Sequence, residues 1–449
     1  MVEPSSSPQD AFQADTPAQK RALSYSNTIH QLFVSVMSEK LPADRIVGEY
    51  FRTHKKHGSK DRRVIRESLF ALFRWWGWLK KIHISEQQDE SWFACLSLVA
   101  ELEGHKWSQF SAAWREFANQ SPEFNLSPAT QALVSVSNRC AFLNLQFANI
   151  SFCDTELLPA WFWIVSQVNE ADKQAVIDAM CSRPPIWGRA QTLTQQQLID
   201  SLANDEITAV ASEYFDDAVS LGHKSVNLNA IAAYQAGELE IQDLGSQVIG
   251  QICAPKADEK WWDTCSGAGG KTLQLRSLML RQDSSAQGSI VSSDIRRKPL
   301  EELTKRAKRA GFNGITTAPW KSDDLPVNAN AFDGVLVDAP CSCTGTWRRN
   351  PDMRWLDDAS VVTDKHALQL DILTRSAKAV KPQGQLVYAT CSLSPIENEQ
   401  VVNAFLAANP EFELQTVTHP FTGKQTQMLT IWPHEADSDG MFVAKMKKH

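Results

Sequence analysis

A chain of 449 residues is too long for one ordinary hydrophobic core, so two or three domains are expected. With 43% hydrophobic and 22% charged residues the composition is globular, and a net charge of −7 argues against coating nucleic acid through bulk charge, though not against a local basic groove. Nine cysteines, an odd number without disulfide-framework spacing, fit reduced thiols in a cytosolic setting, and no apolar run is long enough to span a bilayer.

Residues 1–20, with Pro4, Ser5 to Ser7, Pro8 and Pro17, read as a disordered tail that lacks the apolar core of a signal peptide. Residues 21–150 read as a helical domain. Ile29, Leu32, Phe33 and Val36 share one helical face, as do Leu69, Phe70, Leu72, Phe73 and Trp76. Between these faces runs the most basic stretch of the chain, Arg52 to Arg63 followed by Arg66. It fits either a solvated helix face or an RNA-facing surface, with Trp75, Trp76 and Trp78 beyond it suited to a core. Residues 151–236 suggest a small α+β module, marked by Arg189–Leu193 and a helix-like Gln195–Leu202.

From 237 to 449 strands and helices alternate, as in a doubly wound, mostly parallel α/β sheet. The expected strands are Lys260–Cys265, Ser289–Asp294, Gly314–Ala318, Phe332–Asp338 and Gln385–Cys391. Helices are expected at Gly270–Leu280, Arg297–Ala310 and His366–Val380, the last stopped by Lys381-Pro382-Gln383-Gly384. Two apolar runs, 428–433 and 441–446, read as a terminal antiparallel pair.

The chemistry gathers at strand ends, the edge where open α/β sheets bind ligands. Asp263 to Thr272 supplies a glycine-rich turn after the first strand, and Asp294 ends the next, placed to accept hydrogen bonds from ribose hydroxyls. The loop lacks the spacing of a P-loop and of a dinucleotide fingerprint, so adenosine with a short charged tail fits better than NAD. Cys341 follows Asp338-Ala339-Pro340, and Cys391 follows Tyr388-Ala389-Thr390. A thiolate that adds to C6 of a pyrimidine makes C5 nucleophilic; a methyl group can then be accepted there and the C5 proton removed. Two thiols divide such work between nucleophile and base, and Asp338 is placed to meet the ring's N3 edge. A metal site from Cys341, Cys343 and Cys391 lacks a nearby histidine at ligand spacing, and none is expected.

These motifs resemble those of the RNA (cytosine-5)-methyltransferases of the Sun/Fmu, NOL1/NOP2 type. The likeness is carried by Gln242-Asp243 with Ser246-Gln247, Cys265–Thr272, Asp338–Gly345, Arg348–Asp352, Tyr388–Ser392 with Glu397-Asn398-Glu399, and Asp439–Phe442. The resemblance implies a Rossmann-like class I methyltransferase sheet, mostly parallel with a C-terminal antiparallel strand, behind an α-helical N-terminal domain and a small α+β subdomain. It implies S-adenosylmethionine held by Cys265, Ser266, Gly267, Ala268, Gly269, Gly270 and Lys271, with Asp294 and Asp338. It also implies Cys391 as nucleophile and Cys341 as the thiol that assists release. A cytoplasmic monomer acting on ribosomal RNA is the expectation, with transfer RNA, or an inactive RNA-binding assembly factor, as alternatives. Three departures stand out. Ser266, Gly267 and Ala268 replace the centre of the family's Cys-Ala-Ala-Pro-Gly-Gly-Lys-Thr loop; Cys343 replaces the glycine common after Pro-Cys-Ser; and Pro319-Trp320-Lys321 stands where the family often has an acidic adenine contact.

Overall fold

The computed structural model describes residues 12–449 and divides into two compact units. The first holds the described residues up to Ile164, with Val168–Ser182 and Trp347–Asp358. Its main helices are Pro17–Glu39, Ala43–Thr53, Ser59–Leu79, Glu90–Leu102, Ser108–Ala118, Val136–Gln146 and Lys173–Cys181. Residues 1–11 of the expected tail lie outside the described residues, but the rest of that expectation is corrected. Phe12 is buried against Phe93 and Phe117. Thr16 caps the first helix, its hydroxyl accepting from the Gln19 amide while the Gln19 side chain accepts from the Thr16 amide. This reciprocal cap satisfies donors that a helix start otherwise leaves orphaned.

Trp75, Trp78, Trp92 and Trp114 are fully buried in the core of this unit, which settles the aromatic run as packing. Lys55, Lys56, Lys60 and Arg66 are exposed at and beyond the junction of Ala43–Thr53 and Ser59–Leu79. The unit is finished by a piece from far along the chain. Asp352 accepts from the Ala43 amide at 2.8 Å, the Trp355 indole donates to Phe73 O at 2.7 Å, and the buried Arg354 guanidinium reaches the carbonyls of Arg74, Leu157, Met180 and Trp347.

The second unit carries two main sheets. The smaller is antiparallel, in the order β2-β3-β1-β4, from β1 (Trp187–Ala190), β2 (Val210–Ala211), β3 (Ala218–Ser220) and β4 (Leu239–Ile241). Because β4 pairs with β1 through Gly188–Ile241 and Arg189–Glu240, the small module reaches Ile241, past the expected boundary at 236. A polar core ties it onward: Arg189 donates to Gln242, Gln242 to Gln274, and Gln274 to the Gln247 carbonyl.

The larger sheet contains β5 (Lys260–Asp263), β6 (Ser289–Ser292), β7 (Ile315–Thr317), β8 (Phe332–Asp338), β9 (Val380–Thr390), β10 (Phe412–Leu414), β13 (Met428–Ile431) and β14 (Met441–Lys448), while β11 (Val417–Thr418) and β12 (Gln425–Thr426) pair separately. The order is β10-β14-β9-β8-β5-β6-β7, with β13 also on β14. Strands β5 to β9 are parallel, whereas β14 runs antiparallel to β9 and to β13, as the terminal apolar runs suggested. Alternate residues face opposite cores: Trp262, Val335, Val337, Leu386 and Tyr388 on one side, Trp261, Ile290, Leu336, Val387 and Ala389 on the other. The doubly buried β8 and β9 therefore read as continuous apolar runs.

The expected helix stop at Lys381–Gly384 is corrected. The helix spans Ser360–Ala377 and β9 begins at Val380; residues 381–384 form a bulge opposite the single residue Asp333. A bulge spares Pro382 the ladder hydrogen bond it cannot make. Among the described residues no helix is long and apolar enough to cross a membrane.

Candidate active site

From β5 the chain passes to β6 and β7 on one side and then crosses to β8 and β9 on the other. The strand order thus reverses between β5 and β8, and the crevice for a ligand opens at their carboxyl ends. The candidate residues are gathered there.

After β5, the Ser266 amide donates to Ser293 O at 2.8 Å and the Gly267 amide to Asp294 Oδ2 at 3.1 Å, so the turn is tied to the end of β6. Gly269 takes φ +88° and donates to Ser266 O; a β-carbon there would meet Leu303 at 2.5 Å, so only glycine fits. The helix Gly270–Gln282 then presents its N-terminus beside the turn. A β-carbon on Gly267 or Gly270 would meet nothing within 4 Å, so the loop borders open space. Arg306 holds the turn from outside, donating to Ala268 O at 2.6 Å and pairing with Glu240. Burial pushes the Cys265 thiol up to about 12. Burial would also raise the Asp294 carboxyl, but hydrogen bonds from Arg296 and Gly267 hold it below the usual range. An ionised carboxylate beside a helix N-terminus and open space suits a ribose and a charged tail, so the donor set fits the expected cofactor.

Asp338 ends β8, and Lys271 Nζ donates to its Oδ2 at 2.8 Å. Burial pushes the Asp338 carboxyl upward against the pull of that lysine. Beyond it, Cys341 and Cys391 bring their sulfurs to 3.3 Å from one another, one after each of two adjacent parallel strands. Hydrogen bonding to Cys343 and Cys391, together with burial, pushes the Cys341 thiol well above its ordinary value. Cys343 joins them: all three sulfurs lie within 4.8 Å of one another. None of the nine cysteines forms a disulfide.

Glu397, part of the motif that follows Cys391, acquires a task only from the structure. It is fully buried; its Oε1 accepts from the Ser342 amide at 2.8 Å and from Gln369 at 3.0 Å, and its Oε2 from the hydroxyls of Ser342 and Ser392. Each serine directly follows a thiol, so one carboxylate fastens both cysteine turns. Its place just ahead of the helix that follows Cys391, after Ser394-Pro395-Ile396, is the signal that could have found it. Trp320, by contrast, belongs to the core: it is buried, its ring lies 5.3 Å from that of Trp262, and the Arg375 guanidinium sits 4.9 Å from its centre.

This strand order, with a glycine turn after β5 and an acid closing β6, defines a class I methyltransferase fold. The crystal structure of PH0851 shares it over 97% of this chain and 100% of its own, with a TM-score of 0.71 at 21% identity; NSun6 from Pyrococcus horikoshii, solved with SFG, shares it over 65% of this chain and 98% of its own, with a TM-score of 0.56 at 18% identity. Residues 250–447 match the family described as 16S rRNA methyltransferase RsmB/F. A curated relative, ribosomal RNA small subunit methyltransferase B of Yersinia pseudotuberculosis, is 31% identical over 297 residues. That alignment spans 65% of this chain and 66% of the relative, just under two thirds of its length.

Proposed function

We propose that this protein transfers a methyl group from S-adenosylmethionine to C5 of a cytosine in RNA, and that the RNA is that of the small ribosomal subunit. The observation that carries the chemistry is the pair of thiols 3.3 Å apart at the ends of two adjacent strands, next to the Lys271–Asp338 pair and the glycine turn. A methyltransferase whose substrate supplies its own nitrogen or oxygen nucleophile needs no such pair. Among the described residues Cys265–Lys271, Asp294 and Asp338 would hold the cofactor, which supplies the electrophilic methyl group.

Cys391 adds as thiolate to C6, and C5 becomes the carbon that accepts the methyl. Asp338, paired with Lys271, faces the ring's N3 edge, where the two meet the charge that develops there. Once Cys341 has given up its own proton to solvent it takes the C5 proton, directly or through water, and the Cys391–C6 bond breaks to release product. Glu397 keeps both thiol turns in register for these two steps. The exposed Lys55, Lys56, Lys60 and Arg66 of the helical unit supply phosphate contacts, in a monomer working in the cytoplasm.

The test is labelled methyl transfer onto RNA and onto small-subunit particles from a strain lacking this gene, with digests examined for 5-methylcytidine. Label in small-subunit RNA that requires intact Cys391 supports the proposal. Label in transfer RNA instead replaces the substrate, and cofactor binding without label on any RNA or particle leaves an RNA-binding assembly factor.

A further inference from the structure

The third thiol has no part in that scheme, yet the backbone goes out of its way to place it. Cys343 adopts φ +60°, the left-handed region that a side chain enters only at a cost and where glycine is at ease. What the conformation achieves is a third sulfur beside the other two, with Cys341, Cys343 and Cys391 all within 4.8 Å of one another and two of them at 3.3 Å. A d10 ion such as Zn2+ binds sulfur at about 2.3 Å, so that ligand sulfurs around one ion stand about 3.8 Å apart. That separation lies between the 3.3 Å of the Cys341–Cys391 pair and the 4.8 Å within which all three sulfurs fall.

We propose that Cys341, Cys343 and Cys391 form a three-thiolate site for a soft d10 cation, Zn2+ in the first instance, and that the bound ion silences the enzyme by occupying its nucleophile. Three protein sulfurs leave the fourth tetrahedral position open, as in exchangeable rather than closed structural sites. As each metal–sulfur bond forms its thiol gives up a proton, so binding releases up to three protons per ion and weakens as the pH falls. Neither the glycine turn nor Asp294 is part of the site, so cofactor can stay bound while the thiols are capped. Only the inhibition depends on the proposed function; the ion-binding claim does not.

The experiment uses the full chain, stripped with a chelator and kept reduced with a phosphine. Cd2+ is the probe, read through its thiolate charge-transfer absorption, in wild type and in Cys343→Gly. That variant restores the residue best suited to the backbone and keeps both Cys341 and Cys391, so it folds, and its own rate in metal-free buffer is the reference against which its response to Zn2+ is read. The wild type takes up one tight equivalent of Cd2+, and Cys343→Gly binds at least ~100-fold more weakly, the loss expected for one of three thiolates. Equimolar Zn2+ stops methyl transfer by the wild type and spares the variant. Equal Cd2+ affinity in the two proteins overturns the site. A metal-free wild type with no activity on any RNA overturns the proposed function instead, and the Cd2+ titration still decides the site.

Discussion

The backbone amide of Ser342 donates to Oε1 of Glu397 across 2.8 Å, although 55 residues separate the two in sequence. Through the other oxygen the same carboxylate takes the Ser342 and Ser392 hydroxyls, so the turns after β8 and β9 are set against a common anchor. Glu397→Gln keeps the shape and cannot accept at both ends. It is expected to lower kcat about 10- to 100-fold, the scale of a misplaced catalytic group, with the KM for cofactor unchanged. Steady-state kinetics with a thermal melt checks this; unchanged kcat removes Glu397 from any positioning role.

The two thiols are predicted to fail differently. Cys391→Ala leaves no nucleophile and yields only background product. Cys341→Ala still forms the C6 bond but is slow to break it, so an RNA–protein adduct accumulates on denaturing gels. An adduct in Cys391→Ala, or none in Cys341→Ala, would reverse or dissolve this division of labour.

Replacing Asp338 by Asn removes the charged partner of Lys271 at the ring's N3 edge. A drop in kcat of about 10²- to 10³-fold is expected, comparable to loss of one preorganised donor at a developing charge. Fold integrity is read from a melting curve, and near-normal turnover would exclude Asp338 from the chemistry.

Asp263 is fully buried at the end of β5, and its Oδ2 accepts from the Thr272 hydroxyl. Burial raises its carboxyl to about 7, from an ordinary value of 3.8. The folded state therefore prefers the protonated form; this favourable contribution is complete below about pH 4 and is lost as the pH rises through about 7. The shift corresponds to about 4 kcal/mol, so the stability of Asp263→Asn relative to wild type should climb by up to that amount between pH 4 and 8. Chemical denaturation at both pH values reads it; parallel pH profiles would refute it.

Charge reversal of Lys55, Lys56, Lys60 and Arg66 is expected to weaken RNA binding and to flatten its dependence on salt, by roughly one unit of slope for each phosphate no longer neutralised. Transfer from cofactor at saturating RNA stays intact. Unaltered salt dependence would return this stretch to a plain solvated surface.

Much of the second unit could be read from sequence because its determinants are local. Doubly buried parallel strands are short apolar runs, and Gly267, Gly269 and Gly270 mark a turn whatever surrounds it. Cys341 and Cys391 each sit at the end of such a run, so their meeting follows once β8 and β9 are neighbours. What escaped depends on pairing across distance. Lys381–Gly384 looks like a helix stop and becomes a bulge only because Asp333 lies opposite. β4 looks like the start of the catalytic domain until Arg189 is seen beside Glu240. Trp320, near the place of the family's adenine contact, is held by Trp262 through packing that no local pattern announces.

The placement of Trp347–Asp358 in the helical unit bears on how the protein is made. On a ribosome the amino-terminal helices emerge long before the segment that carries Asp352, Arg354 and Trp355. Until then the Ala43 amide and the carbonyls of Phe73, Leu157 and Met180 lack the partners they have in the finished molecule. Vectorial synthesis thus leaves the first-made unit waiting for residues translated after most of the second, and a fragment released at Ser182 would stay incomplete however long it was given to fold.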